Sequence, residues 1–220
     1  MPAVLFVSFF LKVKKQKSLW VIFIYSLFTL INELTLIRLT NSNPILFSKI
    51  GSALWSIYTI VEYSLFSLVI YHTLKNKILK NIVVYCIPLF IVFTTIIYFI
   101  SKSQKDSFDS ISITVEYIIL ILFTLLYFYE EISIPKTTFI YASFQFWNIV
   151  GILIYSTGTF FLFMYSNSLG AEDWENWSII NYVFTLLKNL LFSIAIIVLA
   201  QNHKDDEPER KFFEERINYF

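Results

Sequence analysis

Four ionisable residues stand inside long apolar runs. They are Glu33 in "LINELTLIRL", Glu62 in "TIVEYSLFS", Glu116 in "ITVEYIILI" and Lys188 in "TLLKNLLFS". A charged side chain at the middle of a bilayer costs about 2.5–3.5 kcal/mol on insertion scales, and more if it faces lipid. Four such groups cannot all face hydrocarbon. They must face a shared interior, pair with one another, or meet water. Glu62 and Lys188 lie deepest in their runs, beyond the reach of snorkelling. Glu62 is therefore the expected partner of Lys188. Two roles fit the set: an ion pair that fixes which helices associate, or a polar site for a ligand, an ion or a proton.

Neighbouring polar residues recur at helical spacing. Ser26, Thr29 and Glu33 share one face, with Asn32 beside them. Gln145, Asn148, Tyr155 and Thr159 form a second stripe. Ser178, Asn181, Thr185 and Lys188 form a third, with Asn189 adjoining. Stripes of this kind are expected where helices line a common polar interior. The site predicted from these residues takes Glu33, Glu62, Glu116, Asn148 and Lys188 as its ionisable and amide core. Asn32, Gln145, Tyr155, Asn181, Thr185 and Asn189 supply further lining.

Catalytic sets are missing by comparison. The sequence holds no HExxH, GxSxG, P-loop or GxGxxG pattern, and no paired Asp at depth. The single cysteine, Cys86, allows no internal disulfide or cysteine-based zinc site. His72 and His203 are too few for a histidine cluster and neither lies deep, so a serine nucleophile would have no base. These facts disfavour an enzyme, and predict no metal and no cofactor. A buried lysine in a last helix could hold an aldehyde such as retinal as a Schiff base. The position one turn before it, acidic in microbial rhodopsins, is Phe184, so retinal is a remote reading.

The elements that must position these residues follow from composition. Of 220 residues, 57% are hydrophobic and 15% charged, and the mean hydropathy is +0.66. A soluble domain of this size cannot cover so much apolar surface. Long unbroken runs with little Gly or Pro favour helices over a β-barrel. The fold predicted is an all-α polytopic transmembrane bundle, over residues 1–200. It has six full spans, at about 19–38, 51–72, 82–101, 110–129, 139–165 and 178–200. A short N-terminal helix, about 1–12, makes seven. A signal peptide is the rival reading of that helix, disfavoured because no basic residue precedes it and no small-residue cleavage site follows.

Basic residues set the orientation. "KVKKQK" (12–17), "HTLKNKILKN" (72–81), "EEISIPK" (130–136) and the tail 201–220 carry most of the Lys and Arg. The opposite segments hold Lys49, Lys102, Lys105 and the acidic "NSLGAEDWENW" (167–177). The tail is therefore expected in the cytoplasm of an inner membrane, and with seven helices the N-terminus is expected outside. Trp174 and Trp177 suit an outer interfacial belt and Trp20 an inner one. The net charge of +1 gives no basic face for nucleic acid. The expected partners are the lipid bilayer and a protein, in the membrane or at the tail through Phe212 and Phe213.

Two further patterns bear on packing. "SIYTIVEYSLF" (56–66) and "SISITVEYIIL" (110–120) align with V-E-Y in register, 54 residues apart. A duplicated helix hairpin explains this, and so does chance in an Ile- and Phe-rich chain. Gly151 and Gly158, seven apart on one face, predict a close helix approach.

Taken together, "INE" (31–33), "EY" (62–63), "FWNIVGILIYSTGTFF" (146–161) and "NYVFTLLKNLLFSIAI" (181–196) resemble small multi-pass membrane proteins of Bacteroidota bacteria. Those proteins are similar in turn to the membrane-embedded sensor halves of some histidine kinases. The resemblance implies a seven-helix sensor module, and with no kinase or cyclase domain in this sequence, signalling through a partner. A receptor-like or partner-bound module is thus expected, with its polar site in the outer half. A small-solute or proton-coupled transporter is the alternative, weakened because Pro88 is the lone Pro within a span and no span has a Gly-rich break. A structural subunit is a further alternative.

Overall fold

The computed structural model describes residues 2–8, 16–42, 44–103, 110–133, 140–165 and 179–201. They form seven helices: α1 (Pro2–Ser8), α2 (Lys17–Ser42), α3 (Pro44–Thr73), α4 (Lys77–Ser103), α5 (Ser110–Ser133), α6 (Phe144–Tyr165) and α7 (Ile179–Gln201). Among the described residues there is no strand. The last six helices are each long and apolar enough to cross a membrane. The chain is an integral, multi-pass membrane protein by that measure.

The helices outrun the apolar spans at several ends, for local reasons. Pro44 opens α3, a first-turn position where its missing N–H is no loss. Asn76 caps α4, its Oδ1 accepting from the Ile78 N–H at 2.8 Å, so the helix takes in the basic turn before the apolar run. The span expected at 139–165 is instead a 3₁₀ turn, Ile140–Ala142, followed by α6. Ser143 separates them, its Oγ accepting from the Gln145 N–H at 3.3 Å. Helix α4 runs unbroken through Pro88.

Helix α1 has seven residues, about 10 Å of helix, against a hydrocarbon core of about 30 Å. It lies against the first turns of α2. Phe6 stacks on Phe23 with ring centroids 4.5 Å apart and meets Trp20 edge-on at 5.0 Å. Residues 202–220 of the expected tail 201–220, and Ser178, Trp174 and Trp177, lie outside the described residues, while Gln201 still belongs to α7.

Helix α3 is the hub. It packs on α2, α4, α5 and α6, and Phe66 reaches Phe192 of α7 at 6.2 Å. Helices α2, α7, α6, α5 and α4 follow one another around it. The α2–α7 contact is Tyr25 with Phe192. The α6–α7 contact is close at both glycines. A Cβ on Gly151 would stand 3.0 Å from the Phe192 ring, and one on Gly158 would overlap the Phe184 ring. The core is a continuous apolar and aromatic cluster. Outward faces of α2 and α4 carry exposed Ile24, Leu27, Ile31 and Leu34, and Leu89, Val92, Ile96 and Phe99. Exposed apolar surface of this kind is suited to lipid.

At one end, Glu130 of α5 closes the α3–α4 connection. Its Oε2 accepts from the Lys75 backbone N–H at 2.8 Å, and its Oε1 from that of Asn76. Glu131 pairs with the Lys75 ammonium.

Candidate functional site

Lys188, at the middle of α7, is 1% exposed, so it has no path to water by extension. Its ammonium donates to the Tyr25 hydroxyl and lies 3.5 Å from Glu62 Oε1. It also sits 3.4 Å from the centroid of the Tyr155 ring, 4.8 Å from that of Tyr25 and 5.3 Å from that of Phe66. The aromatic faces present negative quadrupole to the cation. A carboxylate, a phenol and three rings thus surround one buried ammonium.

Glu62 collects the other donors. Its Oε1 accepts from Tyr25 at 2.7 Å and Tyr58 at 3.2 Å. Its Oε2 accepts from Tyr155 at 3.4 Å, and Tyr155 in turn accepts from Tyr117 at 3.2 Å. The network ties α2, α3, α5, α6 and α7 together. Its polar atoms are satisfied, which a buried ion pair requires if it is to persist.

Above this pair opens a cleft of about 70 Å³. Its lining comes from one end of every helix that contributes. Thr29 lies at the middle of α2 with Asn32 and Glu33 beyond it, while Trp55, Tyr58 and Thr59 lie in the first half of the apolar span of α3 and Glu62 at its middle. Glu116 and Tyr117 lie early in α5, and Asn181, Tyr182 and Thr185 early in α7. Antiparallel threading brings these parts to the same end, the one bearing the α2–α3, α4–α5 and α6–α7 connections. Tyr155 and Glu62 belong both to the cleft and to the Lys188 cage.

The V-E-Y register has a spatial counterpart. Helices α3 and α5 run in the same direction side by side, and Glu62 and Glu116 line the same cleft. The tyrosine after each turns to the helix that follows. Tyr63 packs on Phe90 of α4 at 4.1 Å, and Tyr117 on Tyr155 of α6 at 5.7 Å.

The two glutamates differ in one respect. Glu116 is 1% exposed, yet neither of its oxygens has a hydrogen-bond partner among the described residues. Asn181 Oδ1 is also buried and unpartnered. Glu33 is exposed and stands at the mouth, with Asn32 half-buried beside it.

Other sequence candidates lie elsewhere. Asn148 is fully buried but does not line the cleft, because it sits seven residues before Tyr155, about 10 Å nearer the opposite end. Gln145 lies in the first turn of α6, where its Oε1 accepts from Ser143 Oγ at 2.6 Å. Asn189 turns from the cleft, and its carbonyl accepts from Ser193 at 2.7 Å. Lys188 itself is not a lining residue. An aldehyde in the cleft would meet Tyr155 and Glu62 before the lysine, a poor fit to a retinal-type linkage. Sequence reasoning missed the aromatic partners Tyr25, Tyr58, Phe66 and Tyr117. The signal was present in part, since Tyr58 and Tyr25 sit one turn from Glu62 and Thr29.

No family model matches the chain, no curated protein matches its sequence, and no solved structure matches its fold.

Proposed function

We propose that this protein is a receptor-like sensor module of the inner membrane that takes a small ligand in its intramembrane cleft and passes the signal to a protein partner. The observation that carries this reading is the contrast between the two buried glutamates. Glu62 is fully engaged, while Glu116 and Asn181, which line the same cleft, have buried oxygens without partners among the described residues. Buried polar groups are rarely left so, because each costs about 1–3 kcal/mol. The loop charges support an outer position for the cleft and a cytoplasmic C-terminus. The resemblance to membrane-embedded sensor modules supports the same role.

Coupling has a physical route. Tyr58 and Tyr155 line the cleft and donate to Glu62, which faces Lys188. A ligand that displaces either phenol alters the contacts holding α2, α6 and α7 to the hub α3. The signal is then a change in helix packing, read at the cytoplasmic end. The test is crosslinking between cysteines placed at the inner ends of α3 and α7, with and without ligand. A sensor changes its crosslinking pattern on binding.

A transporter is the second reading, favoured by carboxylates at depth. Flux into proteoliposomes decides it. Solute uptake driven by a gradient, abolished by Glu116→Gln, would replace the sensor reading.

A further inference from the structure

The cleft's chemistry narrows what it takes. Among the described residues its lining includes three carboxylates, Glu33, Glu62 and Glu116, and no Lys, Arg or His. Among the described residues the nearby cation Lys188 pairs with Glu62. Glu116 has two buried oxygens with no donor among the described residues. Ionised, it needs a donor; protonated, it needs an acceptor; the described residues offer it neither. The walls around it are aromatic: Trp55, Tyr58, Tyr117, Tyr155, Phe163 and Tyr182. Among the described residues, no three of His, Cys, Asp and Glu are grouped to hold a metal ion.

We propose that the cleft binds an organic ammonium, a small aryl- or alkylamine. Its charged head sits against Glu116, with Asn181 Oδ1 as a second acceptor, and its apolar body lies on the aromatic wall. The protein already shows this recognition once. The Lys188 ammonium is held by one carboxylate, one phenol and the faces of Tyr155, Tyr25 and Phe66. Tyr155 and Glu62 stand between that cage and the cleft. A second cation on their other side would bear on the first through the shared ring and carboxylate. That gives a specific means by which occupancy loosens the Lys188 cage. A primary ammonium has three donors, enough for Glu116, Asn181 and one phenol. A quaternary ammonium would use the rings alone.

This inference rests on the sensor reading only for its consequence; the binding step stands apart from it. The probe is phenethylammonium, with the neutral phenethyl alcohol and the anionic phenylacetate as controls. Full-length protein in detergent is titrated calorimetrically with each. The expected result is that phenethylammonium binds at least about tenfold tighter than the alcohol, and phenylacetate weakest. Glu116→Gln should reduce that preference about tenfold or more. Should Glu116→Gln fail to fold, Glu33→Gln at the exposed mouth gives the same direction with a smaller loss. Equal or better binding of the alcohol or the acid overturns the proposal, as does absence of phenethylammonium binding. Binding of sodium or potassium ions that phenethylammonium does not displace also overturns it. The crosslinking assay is run on the same samples. Ammonium binding with unchanged crosslinks keeps the ligand class and removes the sensor reading. Changed crosslinks with a neutral ligand alone do the reverse.

Discussion

The ammonium of Lys188 lies 3.4 Å from the centre of the Tyr155 ring, while the hydroxyl of the same tyrosine donates to Glu62, the carboxylate that faces the lysine. One side chain thus serves both members of the ion pair, its face to the cation and its edge oxygen to the anion. Tyr155 also borders the cleft. It is the residue through which the buried pair and the cleft are joined.

The pair predicts an asymmetric double-mutant cycle. Lys188→Met removes one donor from Glu62, which keeps Tyr25, Tyr58 and Tyr155. Glu62→Gln leaves a buried ammonium without its carboxylate, a loss of about 3–5 kcal/mol. Glu62→Gln is therefore the more damaging change in thermal unfolding in detergent. The double variant should recover part of the loss, with a coupling energy of about 2 kcal/mol. Additive effects of the two changes would show that the 3.5 Å approach carries no interaction.

Tyr155 separates ring from hydroxyl. Tyr155→Phe keeps the aromatic face over Lys188 and drops the link between Glu62 and Tyr117. A loss of about 1 kcal/mol is expected, the worth of an ordinary buried hydrogen bond. Tyr155→Ala removes the face as well and opens a cavity, for about 3–5 kcal/mol. Equal losses for the two variants in thermal unfolding would mean that the hydroxyl's bond to Glu62, not the ring face over Lys188, carries the contribution of Tyr155.

Much of this was legible in the sequence because lipid imposes strict rules. Length and hydropathy expose six spans, and the cost of charge at depth singles out Glu33, Glu62, Glu116 and Lys188. The stripe Asn181, Thr185, Lys188 is one face of α7, with the first two on the cleft and the third beneath it. The stripe through α6 is misleading. Gln145 and Asn148 share a face with Tyr155 but not a depth, and helical periodicity reports angle, not height. The aromatic cage was hidden for a different reason. In a chain with 24 Phe and 14 Tyr, no single ring stands out from its neighbours. Which rings meet the lysine depends on how α2, α3 and α6 pack around α7, a tertiary fact with no local signature.

Asn148 gives a prediction of opposite sign. It is fully buried, and neither amide atom has a partner among the described residues. Asn148→Leu replaces an unsatisfied amide by an apolar group of similar size. Stability should rise by about 1 kcal/mol, seen as a higher unfolding midpoint with ligand binding unchanged. A fall of that size instead would show that the amide holds a partner, such as a buried water.

Glu130 and Glu131 are adjacent in sequence and unequal in role. Glu130 accepts two backbone N–H groups of the α3–α4 connection and is buried, whereas Glu131 pairs with a Lys75 side chain that is 33% exposed. Glu130→Ala leaves two amides without their acceptor, for a loss of about 2 kcal/mol. Glu131→Ala should cost less than about 1 kcal/mol, as surface pairs do, with a salt dependence that Glu130→Ala lacks. Hydrogen exchange at Lys75 and Asn76 provides the local readout: faster in Glu130→Ala, unchanged in Glu131→Ala.

The contact between α6 and α7 is where the packing leaves least room. A Cβ at Gly158 would overlap the Phe184 ring, and one at Gly151 would stand 3.0 Å from Phe192 and 3.4 Å from Leu191. Phe192 also meets Tyr25 and Phe66, so it cannot turn without disturbing the floor of the Lys188 cage. Phe184 is half-buried and nearer the end of its helix, where the ring has somewhere to move. Gly158→Ala therefore has the larger overlap but the more movable neighbour, and combining it with Phe184→Leu should recover stability. Gly151→Ala should cost about 1–3 kcal/mol, and should not be rescued by Phe192→Leu, because that change empties space beside Tyr25. Rescue at both positions in thermal unfolding would show that each glycine merely clears a ring, and that the floor of the cage tolerates movement of α7.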